Sequence, residues 1–255
     1  MFDLLDMHDQ IAIVTGAGQG MGKATARMLS SLGATVIIAE LNPHTGAATA
    51  DELTHDGRQA HFVPLDVRDT ASVQRLAEWV RGRFGRLDIL VNNAGIVKNA
   101  ATLETSDEDW LSVVDVNLNG VFRCCRELGR IMVEANAGSI VNMASNSAII
   151  VDRPQIQPAY NASKAGVAQL TKSLAAEWAP FSVRVNAVAP GFIDTSMTEA
   201  GQSQGDWIKF WLQNTPLGRL GLPNEVAPVV VFLASKAASY MTGSVVLVDG
   251  GYCVW

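Results

Sequence analysis

Seven short apolar runs punctuate this chain, each of them nearly unbroken: IAIVT (11–15), ATVIIA (34–39), HFVPL (61–65), DILVN (88–92), SIVNM (139–143), VRVNAVA (183–189) and SVVLV (244–248). A strand with one face in water alternates apolar with polar residues, whereas a continuous run fits a strand covered on both faces. Between the runs, helical periodicity spans about 20–32, 44–56, 70–84, 107–135, 158–178 and 223–235. The alternation predicts an α/β fold, a doubly wound parallel sheet with helices on both faces. No Pro/Ser linker, low-complexity tract or repeat divides the 255 residues, so 1–255 reads as one domain.

One segment breaks the rhythm. Residues 192–222 make a long excursion after the sixth strand, polar at first, then carrying Trp207, Phe210 and Trp211 at helical spacing. An excursion of this length covers a site or meets another subunit. The aromatics either line a pocket or staple the segment to the body. Pro228, inside the last helical pattern, removes a helix hydrogen bond and predicts a kink.

Composition narrows the partners. Hydrophobic residues at 48% and charged residues at 17% suit a globular chain with a large core. A net charge of −6, with 19 scattered basic residues, argues against nucleic acid or an anionic membrane as partner. The start, MFDLLDMHDQ, is acidic and lacks the layout of a signal peptide. No apolar stretch approaches the ~20 residues that cross a bilayer. Three cysteines, Cys124 and Cys125 being neighbours, argue against a disulfide framework and for the cytoplasm. His8, His44, His55 and His61 lack metal-ligand spacing, so no metal is expected. No G-x-S-x-G nucleophile elbow is present.

Directly after the first run comes TGAGQGMG, with glycines at 16, 20 and 22. Gly16 permits a tight turn, Gly20 lets a pyrophosphate approach the backbone, and Gly22 lets the next helix pack close with its N-terminal amides facing the anion. The second strand leads into Glu40. A carboxylate there accepts hydrogen bonds from both hydroxyls of an adenosine ribose and repels a 2′-phosphate. No Arg or Lys follows Glu40, and Gln19 fills the turn position before Gly20, which predicts NAD over NADP. An exposed strand-end carboxylate is the plain alternative.

Tyr160 and Lys164, four residues apart in AYNASKAGV, share one helix face. A phenol normally releases its proton near pH ~10. An ammonium alongside favours the phenolate, which predicts a group that exchanges protons at cellular pH. The same spacing also occurs on solvated helix faces.

Together with LDV at 65–67, NNAG at 92–95, VNLNG at 116–120, SIVNMAS at 139–145, YNASK at 160–164, PGFIDT at 190–195 and DGG at 249–251, these motifs resemble the short-chain dehydrogenase/reductase family. The likeness is to its short, single-domain branch and covers nearly the whole chain. It implies a Rossmann-type fold with a seven-stranded parallel sheet in order 3-2-1-4-5-6-7, usually assembled as a homotetramer. It implies Asn117, Ser145, Tyr160 and Lys164 as the catalytic group, with Asn117 binding a water that links Lys164 to bulk solvent. Cofactor contacts would come from Gly16, Gln19, Gly20, Met21, Gly22 and Glu40, and from Asp66 and Val67 around the adenine. Asn93, Ala94 and Gly95 would flank the cofactor. Pro190, Gly191, Ile193 and Thr195, with Tyr160 and Lys164, would complete the nicotinamide end.

Within the family, IIVDRPQIQPAYNASKAGV and the ending VDGGYCVW look most like NAD-dependent polyol dehydrogenases of the galactitol and mannitol type. The implied reaction moves a hydride between NAD(H) and a secondary alcohol or ketone, with a polyol or sugar alcohol as substrate. Substrate-facing candidates are Ser145, Asn146, Ser147, Asp152, Gln157, Tyr160 and Trp211, with ordinary solvation as the alternative for the loop residues. Asp152 stands where such enzymes are expected to carry Asn. Ser145 lies farther before Tyr160 than is common, which makes Ser147 a rival; counting from SIVNM favours Ser145. A carbonyl reductase or diol dehydrogenase acting on small or aryl ketones is the alternative chemistry. A non-catalytic NAD-binding regulatory protein is the alternative outside it.

Overall fold

The computed structural model describes residues 4–202 and 206–255. The first three residues of the acidic start, and 203–205 of the excursion, lie outside the described residues. Among the described residues, seven strands form one parallel sheet: β1 (Ile11–Thr15), β2 (Thr35–Glu40), β3 (Ala60–Pro64), β4 (Ile89–Asn92), β5 (Gly138–Met143), β6 (Val183–Pro190) and β7 (Val245–Val248). Their spatial order is β3-β2-β1-β4-β5-β6-β7, as the motifs imply. Register is regular, with Ile13 opposite Ile37 on one side and Leu90 on the other.

Helices α1 (Gly20–Ser31), α2 (Pro43–His55), α3 (Thr70–Phe84), α4 (Asp107–Val114), α5 (Gly120–Ala135), α6 (Pro158–Trp178), α7 (Ser196–Gln202), α8 (Trp207–Asn214) and α9 (Pro223–Ala234) follow in order. Successive strand residues face opposite layers. Ile11, Ile13, Ile37 and Leu90 pack with α3, α5 and α6, where Trp178 is buried in the core. Ala12, Val14, Val36, Ile38 and Val91 pack with α1, α2 and α9. Each such aliphatic side chain contributes about 1.5–3 kcal/mol on burial, which is why the runs carry no polar alternation. Caps set several helix starts: Asp69 accepts from the Ala71 and Ser72 amides at α3, and Asn42 from the His44 amide at α2. Pro228 lies on the exposed face of α9, and the helix continues past it to Ala234.

One expectation changes in detail. The helix read over 107–135 is two helices, α4 and α5, joined by a π-helical turn over Asp115–Asn119 in which the Gly120 amide reaches the Asp115 carbonyl. That widened turn lets Asn117 point inward, fully buried. Gly120 then sits against β3's exit; an added Cβ would lie 2.8 Å from Val67 Cγ2. The excursion over 192–222 contains α7 and α8, the latter carrying Trp207, Phe210 and Trp211 at their helical spacing, and returns to the body where Ile193 bridges Gly221.

Arg184 of β6 ties the sheet to the end of α9. Its guanidinium donates to the carbonyls of Leu233, Ala234, Ser235, Ala238 and Met241 at 2.8–3.3 Å and to Ser139 Oγ at 3.0 Å. The guanidinium thereby meets the negative end of the helix dipole. Arg184→Leu is expected to lower unfolding free energy by about 2–4 kcal/mol, read as a reduced urea midpoint at unchanged slope. Arg184→Lys, with fewer and less spread donors, recovers only part.

Candidate active site

Chain direction away from β1 reverses between β1 and β4, and such a switch point opens a crevice at the strands' C-terminal ends. Side chains hold that crevice in shape. Asn93 Nδ2 donates to the Thr15 and Gly16 carbonyls, both at 3.0 Å. Thr15 Oγ1 accepts from the Asn93 and Ala94 amides at 2.9 and 3.0 Å. Gly16 and Gly20 adopt φ of +63° and +53°, which a side chain would strain. A Cβ on Gly22 would lie 2.2 Å from the Gly16 carbonyl oxygen, so only glycine lets α1 start this close to the turn.

A cavity of about 320 Å³ lies over the start of α1, lined by Gly16, Gln19, Gly20, Met21, Glu40, Asp66, Val67, Asn93, Ala94, Gly95 and Thr195 among others. Gln19 offers no side-chain cap to α1, leaving the first amides of the helix for an anion. The glycine cradle and the uncapped helix start fit an extended dinucleotide. At one end, Glu40 Oε2 accepts from the Gly18 amide at 3.0 Å and Oε1 from the Asn42 amide at 3.1 Å. These two bonds fix the carboxylate and leave acceptor positions on each oxygen. Nearby, Asp66 is gripped by Arg68, whose Nε and Nη2 lie 2.7–3.2 Å from its oxygens. That partner holds the Asp66 carboxyl below its usual range. The sequence reading saw no cation near Glu40; Arg68 lines the same cavity, with its charge committed to Asp66.

The crevice continues through a narrower space of about 70 Å³ bounded by Met21, Gly95, Ser145, Tyr160, Lys164, Pro190, Gly191, Ile193 and Thr195. Here the face of α6 meets the ends of β5 and β6. Lys164 Nζ donates to the Met143 carbonyl at 2.7 Å and lies 5.6 Å from the Tyr160 ring centre. Burial pushes the Lys164 amine down to about 8. Burial also pushes the Tyr160 phenol up to about 12, and the Ser145 hydroxyl beside it opposes this only in part. In this desolvated corner burial outweighs the amine, which is turned toward Met143, so the phenolate reading leans on the positive nicotinamide ring as well as on Lys164.

The Asn117 side chain is tied inside the site. Its Oδ1 accepts from the Ile96 amide at 2.9 Å, and Nδ2 donates to the Ile96 carbonyl at 2.9 Å and Ser163 Oγ at 3.1 Å. With both amide protons used, the side chain braces the Gly95–Ile96 strand exit and is a positioning residue. An added Cβ on Gly95 would stand 3.3 Å from Asn117 Oδ1 and 3.6 Å from Lys164 Nζ, so glycine leaves room for all three.

Beyond Tyr160 a further cavity of about 80 Å³ is lined by Ser145, Asn146, Asp152, Gln155, Gln157, Phe192, Trp207 and Trp211, among others. Ser145 takes the place nearest Tyr160. Ser147, its rival, sits behind it, hydrogen-bonded to Asp152 and outside the lining, so its expected substrate contact is corrected to an indirect one. Gly22 likewise packs beneath the cofactor crevice without lining it. Trp211 stacks on Phe192 at 4.3 Å and donates from Nε1 to Gln155 Oε1 at 3.0 Å; Phe210 instead carries Arg153 over its ring. The aromatics thus divide: Trp207 and Trp211 line, Phe210 staples. Thr15, Arg68, Gln155 and Phe192 escaped the sequence reading, because each acts through tertiary neighbours rather than through local spacing.

Comparison with known proteins fits this geometry. A sequence model of the family described as enoyl-(acyl carrier protein) reductase matches residues 16–253. A galactitol 2-dehydrogenase of Rhizobium johnstonii is 45% identical over 245 residues, covering 96% of this chain and 95% of that protein. The crystal structure of gox2181 superposes with a TM-score of 0.98 at 47% identity over 100% of both chains. A gluconate 5-dehydrogenase from Burkholderia cenocepacia J2315, solved with NADP and tartrate, gives 0.95 at 33% identity over 100% and 99%. The chain belongs to the short-chain dehydrogenase/reductase family and is an oxidoreductase that acts on CH–OH groups with a nicotinamide cofactor.

Proposed function

We propose that this protein is an NAD-dependent dehydrogenase that interconverts a polyol or sugar alcohol and its ketone. The observation that carries the reading is the cavity beyond Tyr160, where Ser145, Asn146, Asp152 and Gln157 converge within reach of the cofactor crevice. A chain of hydroxyls requires several fixed polar partners, and the galactitol 2-dehydrogenase relative is named for that class. The aromatic wall of Phe192, Trp207 and Trp211 favours the second reading, a carbonyl reductase or diol dehydrogenase acting on small or aryl ketones.

A bound nicotinamide supplies the hydride acceptor or donor. Tyr160 exchanges the proton of the substrate oxygen, and Ser145 holds that oxygen beside it. Lys164, anchored to Met143, lines the same narrow space, from which it would hold a ribose hydroxyl of the cofactor. Glu40 supports NAD over NADP, because a 2′-phosphate would meet its carboxylate while Arg68 is spent on Asp66.

We further propose one domain, a cover over the substrate formed by residues 192–222, and a cytoplasmic homotetramer. Buried, unpaired Cys124 and Cys125 support a reducing compartment. Exposed Tyr240, Leu247, Val254 and Trp255 support a subunit contact near β7.

A panel of hexitols and aryl ketones, run with NAD and NADP side by side, tests the reading by NADH absorbance. Hexitol oxidation with NAD is the expected result; a preference for aryl ketones or for NADP overturns it. Glu40→Ala is expected to narrow the NAD preference by about tenfold or more. Tyr160→Phe is expected to lower kcat by about 10²–10⁴ while NADH binding, followed by fluorescence, persists; a non-catalytic binder would keep its function.

A further inference from the structure

Around Ser145 lies a polar cluster, lining the substrate cavity with Asn146, Asp152 and Gln157, that the hydride chemistry does not itself require. Asp152 is only 3% exposed. Its Oδ1 accepts from Asn146 Nδ2 at 2.9 Å and its Oδ2 from the Ser147 hydroxyl. The Ser147 amide donates to Asn146 Oδ1 at 3.0 Å and to Ser145 Oγ at 3.2 Å. A backbone N–H can only donate, so the Asn146 oxygen is fixed toward the serines and its NH₂ toward Asp152. Gln157 Nε2 adds a donor to Ser147 Oγ at 3.3 Å. Ser145 Oγ therefore faces two inward acceptors, Asn146 Oδ1 at 3.0 Å and Ser147 Oγ at 3.2 Å.

Each hydroxyl has one proton to give. With Asp152 ionised, Ser147 gives its proton to the carboxylate, and Ser145 gives its own inward. Ser145 then presents a lone pair to the substrate cavity. With a proton on Asp152 Oδ2, the direction reverses: the carboxyl donates to Ser147 and Ser147 to Ser145, which leaves Asn146 Oδ1 as the one inward acceptor and frees the Ser145 proton to compete for a substrate oxygen. A ketone oxygen can only accept, whereas an alcohol can donate.

We propose that Asp152 is a positioning residue that sets, through Ser147, whether Ser145 meets the substrate oxygen as acceptor or as donor, and so whether the site favours the alcohol or the ketone. The proposal rests on the dehydrogenase reading above.

The groups that face Asp152 do not neutralise it. Asp249 repels it, Tyr160, Tyr252 and Cys253 are held in their neutral forms, and Arg153 lays its guanidinium over Phe210. Burial, with Asp249, pushes the Asp152 carboxyl up to about 6. A raised carboxyl is protonated below that value, so Ser145 donates on the acid side and accepts on the neutral side.

The test is steady-state kinetics of the whole protein in both directions from about pH 5 to about pH 8. In the wild type the KM for the ketone is expected to rise about three- to tenfold across the window, while the KM for the alcohol does not. Asp152→Asn places an amide NH₂ against Ser147 and is expected to keep the ketone KM low at every pH. Adding Ser147→Ala breaks the relay and is expected to return it to the high value at every pH. Ser147→Ala alone gives the same high, flat profile and serves if Asp152→Asn does not fold. The proposal is overturned if the double variant behaves like Asp152→Asn, which would mean a charge effect alone, or if the wild-type ketone KM is flat. Absence of any nicotinamide-dependent turnover in the wild type would instead remove the dehydrogenase reading, and this proposal with it.

Discussion

The site depends on one amide side chain. Asn93 Nδ2 joins the end of β4 to the end of β1 by two carbonyl hydrogen bonds, across the place where the sheet's winding reverses. The parallel ladder between β1 and β4 ends at Val14 and Val91, and past it the Asn93 and Thr15 side chains carry the connection into the turn, where few backbone pairs remain. The close start of α1 follows from the same contact: a Cβ on Gly22 would lie 2.5 Å from Asn93 Nδ2. Glycine turn, helix start and strand exit therefore form one unit, on which the reach from Glu40 to Tyr160 is built.

Much of the fold was legible because burial on both faces writes itself into composition. Ile13, Val14, Ile37 and Ile38 each have almost no exposed surface, and no polar residue could occupy such positions without an unpaired group. The strand runs and most helix ends match to within a residue or two for that reason. The π-helical turn at Asp115–Asn119 was not legible. Helical periodicity continues through it, and what opens the turn is a distant partner, the Ile96 backbone, that Asn117 must reach.

The site was legible where chemistry imposes spacing and obscure where neighbours impose energetics. Tyr160 and Lys164 share a helix face, as their separation required. Their ionisation did not follow from it, because desolvation in this corner opposes charge on both groups. Glu40 was readable from the strand before it, but Arg68 was not, since its approach to the same cavity depends on how β3 leaves the sheet. Counting from SIVNM favours Ser145 over Ser147, but it says nothing of what Ser147 meets. Only the bend after β5 turns one toward Tyr160 and the other toward Asp152.

Lys164 carries a consequence for how the molecule tolerates its own site. A lysine whose affinity for protons falls on folding, from 10.5 to about 8, binds them better in the unfolded chain. Between those two values the folded state gains ground as the solution becomes more alkaline; at neutrality the full penalty is in force. The same amine is the donor that the Met143 carbonyl meets at 2.7 Å, so the fold carries this cost at a side chain that also ties α6 to the end of β5.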